Sequence, residues 1–301
     1  MKKVLLASTA LVATSSFAAA QGVELSGFAE IGIIDAGGAN DVEFHHDLDV
    51  KFSLSGETDN GLTFGATIDL DEVGDDTGCA GIGNAPSNTG CVEEHSVFVS
   101  GSFGTITMGD TDGAFDWALS EVGIGSAIAD DHTSHSGFSG NGGLDGTNDG
   151  QIARYDYSFG DFAFAVSAEL DDAGTTSGDT IAIGARWSGD IGGNDLAIGV
   201  GYQENDGADI VGMSIRAGYG GFIGIFNYTD HSTAGDYTAI GVGYETGALL
   251  VSGNYGEFGS GSDGFGIAVN YDLGGGAVAQ FGYGDSSGGT STWSAGLALS
   301  F

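Results

Sequence analysis

The last nine residues of the chain, WSAGLALSF at positions 293–301, alternate between two kinds of side chain. Apolar residues occupy every odd position, and small residues, most of them Ser or Gly, occupy every even position. Successive side chains of a β-strand point to opposite faces, so this alternation predicts a strand with one apolar face and one face of small residues. The apolar face carries Trp293, Ala295, Leu297, Leu299 and Phe301.

The same alternation recurs almost everywhere after residue 22, which predicts sixteen strands in total. Short turns such as GYGG and DLGGG alternate with longer acidic connections, so the predicted sheet has two different ends. The predicted strands are 23–34, 45–56, 62–71, 96–101, 104–110, 151–159, 162–170, 180–188, 195–203, 210–219, 222–228, 236–245, 249–256, 265–273, 277–284 and 291–301.

Aromatic residues lie near the ends of these strands on the apolar face, while the other face is rich in Gly, Ser, Thr, Asp and Gln. Aromatic residues that flank an apolar band are typical of barrels that face lipid, and a closed barrel leaves no strand edge unpaired in hydrocarbon. The sequence therefore predicts an all-β fold, a 16-stranded antiparallel transmembrane β-barrel. The aromatic residues are Tyr155, Tyr157, Phe162, Trp187, Tyr202, Tyr219, Tyr244, Tyr271, Tyr283, Trp293 and Phe301.

The N-terminus has the pattern of a secretory signal, with Lys2 and Lys3, a short apolar run and small residues before Gln21. We therefore expect residues 1–20 to be a signal peptide and residues 21–301 to form a single barrel domain. Removal of the leader takes two of the six basic residues and none of the 42 acidic ones, so the net charge falls from −36 to −38. Such a charge repels nucleic acid, which makes nucleic acid an improbable partner, and favours cations as counter-charges.

Two cysteines, Cys79 and Cys91, bound the stretch CAGIGNAPSNTGC. Export to an oxidising compartment favours a disulfide between them. A metal pair is the competing interpretation, but only His95 lies near as a further ligand, so the sequence favours the disulfide. Closing a loop of this size stabilises a fold by roughly 3 kcal/mol in chain-entropy arithmetic.

Several stretches resemble the general porins of the Rhodobacter type. They are VELSGFAEIGI near the mature start, FSLSGETDNGLTFGA at 52–66, VFVSGSFGTITMGDTDGAFDWALSEVG at 97–123 and NYDLGGGAVAQFGYGD at 270–285. The similarity extends over the whole mature chain, and the pattern SGxFGxIxMGD is its most specific part. The resemblance implies a passive diffusion channel for small hydrophilic solutes and ions in the outer membrane of a Gram-negative bacterium.

The resemblance also implies partners. Such porins are homotrimers, they contact outer-membrane lipid and lipopolysaccharide, and their terminal aromatic residue, here Phe301, is the signal read by the barrel assembly machinery. Their third extracellular loop folds into the lumen as a constriction, which places that loop at about 111–150 in this chain. Disorder is the alternative for the part after His132. The acidic residues expected on the loop's rim are Asp112, Asp116, Glu121, Asp130 and Asp131.

The four basic residues of the mature chain, Lys51, Arg154, Arg186 and Arg216, all occupy lumen-facing positions of their predicted strands. Avoidance of lipid, where Arg or Lys costs roughly 2–4 kcal/mol at mid-depth, explains this direction without any role in the pore. In relatives, an arginine cluster faces the acidic loop.

This chain departs from the arginine cluster of its relatives. It has Asp47 and Asp49 where the second strand would carry arginines, and Glu30 on the first strand. The positive half of the constriction is therefore thinned, and acidic pore linings select cations. The sequence predicts a channel that prefers cations.

Acidic clusters such as Asp71, Glu72, Asp75 and Asp76 supply the hard oxygen ligands that calcium takes. The pair Asp130 and Asp131 is a second cluster of this kind. No spacing matches an EF-hand loop, so we expect no cofactor and favour calcium screening of the acidic loops over a dedicated site.

Three other functions compete with that of a channel. His132 and His135, near Ser134, Ser136, Asp130 and Asp131, suggest a hydrolase, but they share one long loop without the strand that orients a nucleophile, so no enzyme is expected. A secreted, acidic, Gly-rich calcium-binding β protein would share the charge, but its nonapeptide repeat is missing. A substrate-specific outer-membrane barrel stays open as an alternative.

Overall fold

The computed structural model describes residues 22–38, 41–71, 91–130, 135–171 and 178–301. They form a closed barrel of sixteen antiparallel strands in which each strand pairs with its neighbours in sequence and the last returns to the first. This confirms the predicted fold class and strand number. The expected signal peptide lies outside the described residues and stays a prediction.

The strands are β1 (Gly22–Asp35), β2 (Glu43–Glu57), β3 (Thr63–Asp71), β4 (Cys91–Gly101), β5 (Gly104–Gly109), β6 (Ile152–Phe159), β7 (Phe162–Glu169), β8 (Thr180–Asp190), β9 (Asp195–Glu204), β10 (Asp209–Tyr219), β11 (Phe222–His231), β12 (Gly235–Thr246), β13 (Leu249–Phe258), β14 (Asp263–Gly274), β15 (Ala277–Ser286) and β16 (Thr290–Ser300). Each coincides with one predicted segment. The largest difference is at β4, which begins five positions before the predicted 96–101, because its first residues, CVEEH, are mixed in polarity and lack the apolar alternation.

The C-terminal stretch closes the barrel. Leu297 on β16 lies opposite Ile31 on β1, and the pairing continues to the last residue. The backbone N–H of Phe301 donates to the carbonyl oxygen of Gly27 at 2.9 Å, and the N–H of Gly27 donates back to Phe301 at 3.3 Å. Closure therefore leaves β16 without a free edge.

The two faces of the strands differ as the alternation requires. On β8, Ile181 and Ile183 face outward and are about half exposed, whereas Thr180 and Ala182 face inward and are buried. A lipid-facing wall needs this arrangement, because hydrocarbon replaces the apolar core of a soluble protein on the outside.

The turns at one end of the barrel are short, and the connections at the other end include the long one between β5 and β6. That connection contains the helix α1 (Ala114–Ala118) and a single 3₁₀ turn at Ile128–Asp130. Among the described residues, no helix has the length and apolar character needed to cross a membrane. The large buried side chains Phe115, Val122 and Ile128 belong to this connection, so the buried apolar core lies inside the barrel.

The expected Cys79–Cys91 disulfide receives no support from the structure. Cys79 lies outside the described residues, and Cys91 begins β4. The disulfide stays a prediction.

Candidate functional site: a constriction between a loop and the barrel wall

The connection between β5 and β6, called the constriction loop below (residues 111–150), is folded into the barrel. Its first limb runs along the inner wall from β7 towards β14. The N–H groups of Ala114 and Ser120 donate to the hydroxyls of Ser167 on β7 and Ser214 on β10, both at 2.8 Å. Further along, the N–H of Ser126 donates to the side chain of Asn270 on β14 at 3.0 Å.

The tip of the loop reaches β1 and β16. The backbone N–H of Ala129 donates to the carboxylate of Glu30 at 2.9 Å. The side chain of Ile128 lies where a Cβ atom on Gly32 or Gly296 would have to be. The first limb therefore spans the inner wall from β7 to the strands that close the barrel.

The second limb returns along the same wall. Ser136 donates its N–H to Ser286 on β15 at 2.9 Å. The N–H of Leu144 donates to the buried Gln203 on β9 at 2.6 Å. The limb ends at Glu169 on β7, which accepts hydrogen bonds from the last residues of the loop. Described residues 135–150 are thus packed on the wall, contrary to the disorder considered for the part after His132.

Inward-facing glycines make this packing possible. A Cβ atom on Gly184, Gly199 or Gly241 would overlap a backbone carbonyl oxygen of the first limb, and one on Gly256 would overlap a carbonyl of the second limb. The loop backbone therefore lies directly on the strand backbone, which only a residue without a side chain allows. We call these four positions the glycine track. They account for part of the high glycine content of the chain.

The loop covers one side of the interior and leaves the other open. Inward-facing side chains of β8 to β14 are mostly buried beneath it, such as Gln203, Ser214 and Asn227. Inward-facing side chains of β2, such as Asp47 and Asp49, are only half-buried. The barrel therefore narrows to the space between the loop and the wall formed by β2 to β6.

Two of the predicted pore cations lie on this open wall, and each contacts a carboxylate. The Nζ atom of Lys51 lies 2.9 Å from a carboxylate oxygen of Asp69. Arg154 lies 3.6 Å from the carboxylate of Asp156 and donates a hydrogen bond to the backbone carbonyl of Asp112 on the loop. Their positive charge is therefore largely compensated on the wall itself.

The other two cations lie on the wall of β8 and β10. Arg186 donates to the carbonyl oxygen of Trp117 at 3.1 Å, and its guanidinium lies 3.9 Å from the centre of the Trp117 ring. It thus helps to hold α1. Arg216 lies on β10 between Ala197 and Ile225, and its side chain makes no hydrogen bond or ion pair with any described residue. Of the four cations, Arg154 and Arg186 lie close enough for their charges to interact, and each donates to a different residue of the constriction loop.

Four carboxylates of the constriction loop, Asp112, Asp116, Glu121 and Asp145, lie close enough for their charges to interact. Burial and the charges of Asp112, Glu121 and Asp145 raise the pKa of Asp116 to about 8, while Arg154 lowers it in part. Burial also raises the pKa of Asp145 to about 6, although its hydrogen bond from the Gly113 N–H opposes this shift. Asp116 is therefore largely protonated at neutral pH, and the rim predicted at the loop is less negative than the sequence suggests.

Glu30 has a different environment from the one its sequence position suggested. It faces inward as expected, but it is only 7% exposed and lies under the loop tip. Besides Ala129 it contacts His45, whose Nε2 lies 3.1 Å from the carboxylate. The carboxylate of Glu30 is therefore covered by the loop tip and does not line the open part of the lumen.

Several residues that hold the loop were not singled out from the sequence. They are buried polar residues at inward positions of β9 to β15, and the signal that could have found them is an amide or hydroxyl side chain amid glycines on the small-residue face. They are Gln203, Ser214, Asn227, Ser252, Asn254, Asn270 and Gln280.

Two described residues of the alternative hydrolase set, His135 and Ser136, attach the loop to the wall. The Nε2 atom of His135 lies 2.5 Å from the side-chain oxygen of Asn254, and burial lowers the pKa of His135. The hydroxyl of Ser136 donates to the backbone carbonyl of Asp263. His132 and Ser134 lie outside the described residues.

The candidate calcium clusters also extend beyond the described part of the chain, since Glu72, Asp75, Asp76 and Asp131 lie outside it. Within the described part, no group of three or more His, Cys, Asp or Glu side chains is placed to hold a metal ion. Calcium on the acidic loops is thus untested.

Comparison with known proteins agrees with this architecture. The family described as Gram-negative porin matches residues 7–291. A porin of Rhodobacter capsulatus is 32% identical over 199 residues, which cover 64% of this chain and 59% of that protein. The match thus spans less than two thirds of the relative's length.

Two solved structures share the fold. A triple mutant of Rhodopseudomonas blastica porin superposes with a TM-score of 0.74 at 19% identity, covering 93% of this chain and 100% of the other. A porin refined at 1.8 Å gives a TM-score of 0.71 at 22% identity, with the same coverage. Because the family profile extends over nearly the whole chain, this protein belongs to the family of Gram-negative porins and is a protein of the outer membrane.

Proposed function

We propose that the chain forms a passive diffusion channel for small hydrophilic solutes and ions, and that this channel prefers cations. The main support is the half-buried inner face of β2, next to an inner wall that is otherwise covered by the constriction loop. Side chains on that face, including Asp47, Asp49 and Lys51, would meet the solutes that pass. We propose accordingly that the chain acts as a channel and not as an enzyme.

The cation preference rests on the charges beside this path. The wall carries Asp47, Asp49, Asp69 and Asp156, while its cations Lys51 and Arg154 are each in contact with a carboxylate. At physiological ionic strength the Debye length is about 8 Å, so charges on the wall act on ions in a narrow opening. The carboxylate excess would attract cations and repel anions.

We also infer that the chain assembles as a homotrimer in contact with outer-membrane lipid and lipopolysaccharide, after delivery by the barrel assembly machinery. This inference is supported by membership of the porin family. Electrophoresis of detergent extracts with and without boiling tests it. A heat-sensitive oligomer is expected, and a monomer under both conditions would contradict it.

The reversal potential of single channels in a salt gradient tests the cation preference. The wild-type channel should give a potential of the sign expected for cation flow. Replacing two wall carboxylates with Asp47→Asn and Asp49→Asn should shift this potential towards zero. The matched control is Asp59→Asn, which removes one charge in the exposed turn between β2 and β3 and should leave the potential nearly unchanged.

Anion preference in the wild-type channel would refute the charge argument. Measurements of solute flux distinguish a general diffusion channel from a substrate-specific barrel. A general channel gives a flux that rises in proportion to solute concentration, whereas saturation by one class of solute at low concentration would show a specific binding site.

A further inference from the structure

We propose that two buried carboxylates, Glu169 and Glu30, are the positioning residues of the channel. They fix the base and the tip of the constriction loop and thereby set the size of the opening. This inference rests on the proposed diffusion function. It assigns these carboxylates to the loop's position, separately from the ion preference attributed to Asp47 and Asp49.

Glu169 holds the base of the loop. One of its carboxylate oxygens accepts the N–H groups of Asn148 at 3.1 Å and Gly150 at 2.8 Å, and the other accepts the N–H of Gly146 at 3.1 Å. The residue is 1% exposed. A carboxylate that accepts three backbone N–H groups in a concave turn makes charge-assisted bonds, which are about twice as strong as neutral ones.

Glu30 holds the tip. Its Oε2 atom accepts the N–H of Ala129 at 2.9 Å and lies 3.1 Å from the Nε2 atom of His45. Ala129 has a left-handed backbone, with φ of 57°, which is unfavourable for a residue with a side chain. A strong acceptor for its N–H stabilises that conformation, so the turn at the tip depends on Glu30.

The two anchors lie at opposite ends of the second limb, Glu30 at the tip and Glu169 at the base. Elsewhere along the loop, Arg186 donates to the carbonyl oxygen of Trp117. Most of the other hydrogen bonds to the wall use neutral side chains such as Ser167, Ser214 and Gln203, which contribute less per bond. Loss of an anchor would free one end of the loop while the glycine track still seats the middle. Because both carboxylates are covered by the loop, their main effect on permeation is through its position.

Neutral polymers of graded size provide the test, since their entry into the channel depends on the opening and not on wall charge. We expect Glu169→Gln to shift the polymer exclusion limit and to increase the current noise of the open channel. The side chain keeps its shape, but an NH₂ group replaces one acceptor oxygen and faces a backbone N–H donor. Glu30→Gln, at the other end of the loop, should have the same kind of effect and is an independent measurement if the first variant folds poorly.

Two further variants separate position from charge. Glu169→Asp keeps the charge but shortens the side chain, so it should shift the polymer limit while the reversal potential stays near that of the wild type. Glu245→Gln removes a charge from an inward-facing position on β12, outside the loop's hydrogen bonds described above, and should leave the polymer limit and the noise unchanged. Heat-modifiable migration on gels checks that each variant is folded.

The proposal is overturned if folded Glu169→Gln and Glu30→Gln channels keep the wild-type polymer limit and noise, even when their ion preference changes. It is also overturned if Glu245→Gln shifts the limit equally. An absence of channel activity in the wild-type protein would instead refute the proposed diffusion function, so the two failures are distinguishable.

Discussion

The fold changes the ionisation of Asp116 more than that of Asp145, the other loop carboxylate with a raised pKa. Its pKa is raised to about 8 because it is partly buried and lies near Asp112, Glu121 and Asp145. An acid with a raised pKa is neutral below that value and negative above it. At neutral pH, the loop therefore contributes less negative charge to the opening than its sequence indicates.

We expect the cation preference of the channel to increase as the pH rises through about 8, because Asp116 becomes negative there. The measurement is the reversal potential in a fixed salt gradient between pH 6 and pH 9.5. Asp116→Asn should remove the step near pH 8 and should resemble the wild type at pH 6, where the carboxyl is already neutral. If the change in reversal potential near pH 8 has the same size in Asp116→Asn, a titratable group other than Asp116 causes it.

At the level of elements, the constriction loop and the glycine track depend on each other. The loop backbone can lie on the strands only where the inner face lacks Cβ atoms, and the buried polar side chains between the glycines satisfy its N–H and carbonyl groups. Polar backbone groups that are buried without partners are costly, so each crossing of a strand needs such a residue. This pairing explains why the inner face combines Gly with Ser, Asn and Gln.

The variant Gly241→Ala tests whether the glycine track is needed for the loop to lie against the wall. A Cβ atom at this position would overlap the carbonyl oxygen of Val122, and such overpacking costs about 1–3 kcal/mol. The loop should be pushed towards the open wall, so single-channel conductance should fall. Gly224→Ala on the outer face of β11 is the control, because a Cβ atom there meets nothing within 4 Å and points away from the loop. Equal conductance in the two variants would show that the loop tolerates displacement at this point.

The connection between β3 and β4 offers a second test at this scale. A disulfide between Cys79 and Cys91 should leave no thiol that reacts with alkylating reagents in the unfolded, unreduced protein. Reduction should expose two thiols, which mass spectrometry detects as two added labels. The replacement Cys79→Ser should lower the stability of the connection towards proteolysis without changing ion preference. Labelling of both cysteines before reduction would show that the disulfide is absent.

At the scale of the whole molecule, the barrel exists because its last strand pairs with its first. Phe301 lies at the end of that seam, where its backbone exchanges two hydrogen bonds with Gly27 and its ring packs within 3.4 Å of the position of a Cβ atom on Gly27. An exposed edge in hydrocarbon would leave a row of unsatisfied backbone groups. The seam is thus needed for stability, and the sequence resemblance additionally predicts that its terminal aromatic guides assembly.

Phe301→Ala keeps the backbone pairing but removes the ring. We expect a large loss of heat-modifiable oligomer in the outer membrane and little change in the conductance of the channels that do assemble, because the ring is exposed on the outer face of the barrel and does not face the lumen. Phe301→Tyr retains an aromatic ring and should assemble nearly normally. If the alanine variant assembles as well as the wild type, the terminal ring is not an assembly signal.

The periodicity of the sequence was enough to predict the strands, their number and the side of the wall that each residue faces. These properties are local: a period of two places every second side chain against lipid, and lipid accepts only apolar ones. Segments with mixed polarity, such as the start of β4, were not predicted as strand because they lie outside that apolar alternation. The long loop was also predictable in position, from its length and from its resemblance to relatives.

The identity of the residues that meet water in the pore depended on contacts between distant parts of the chain. Glu30 and Ala129 are 99 positions apart, and Ser126 and Asn270 are 144 apart, so no periodicity links them. These contacts decide which inward carboxylates the loop covers, such as Glu30, and which stay beside the opening, such as Asp47. The inward direction of a side chain follows from the alternation along its own strand. Its burial follows from the loop that packs against that strand, and so does the pKa of a carboxylate in the loop.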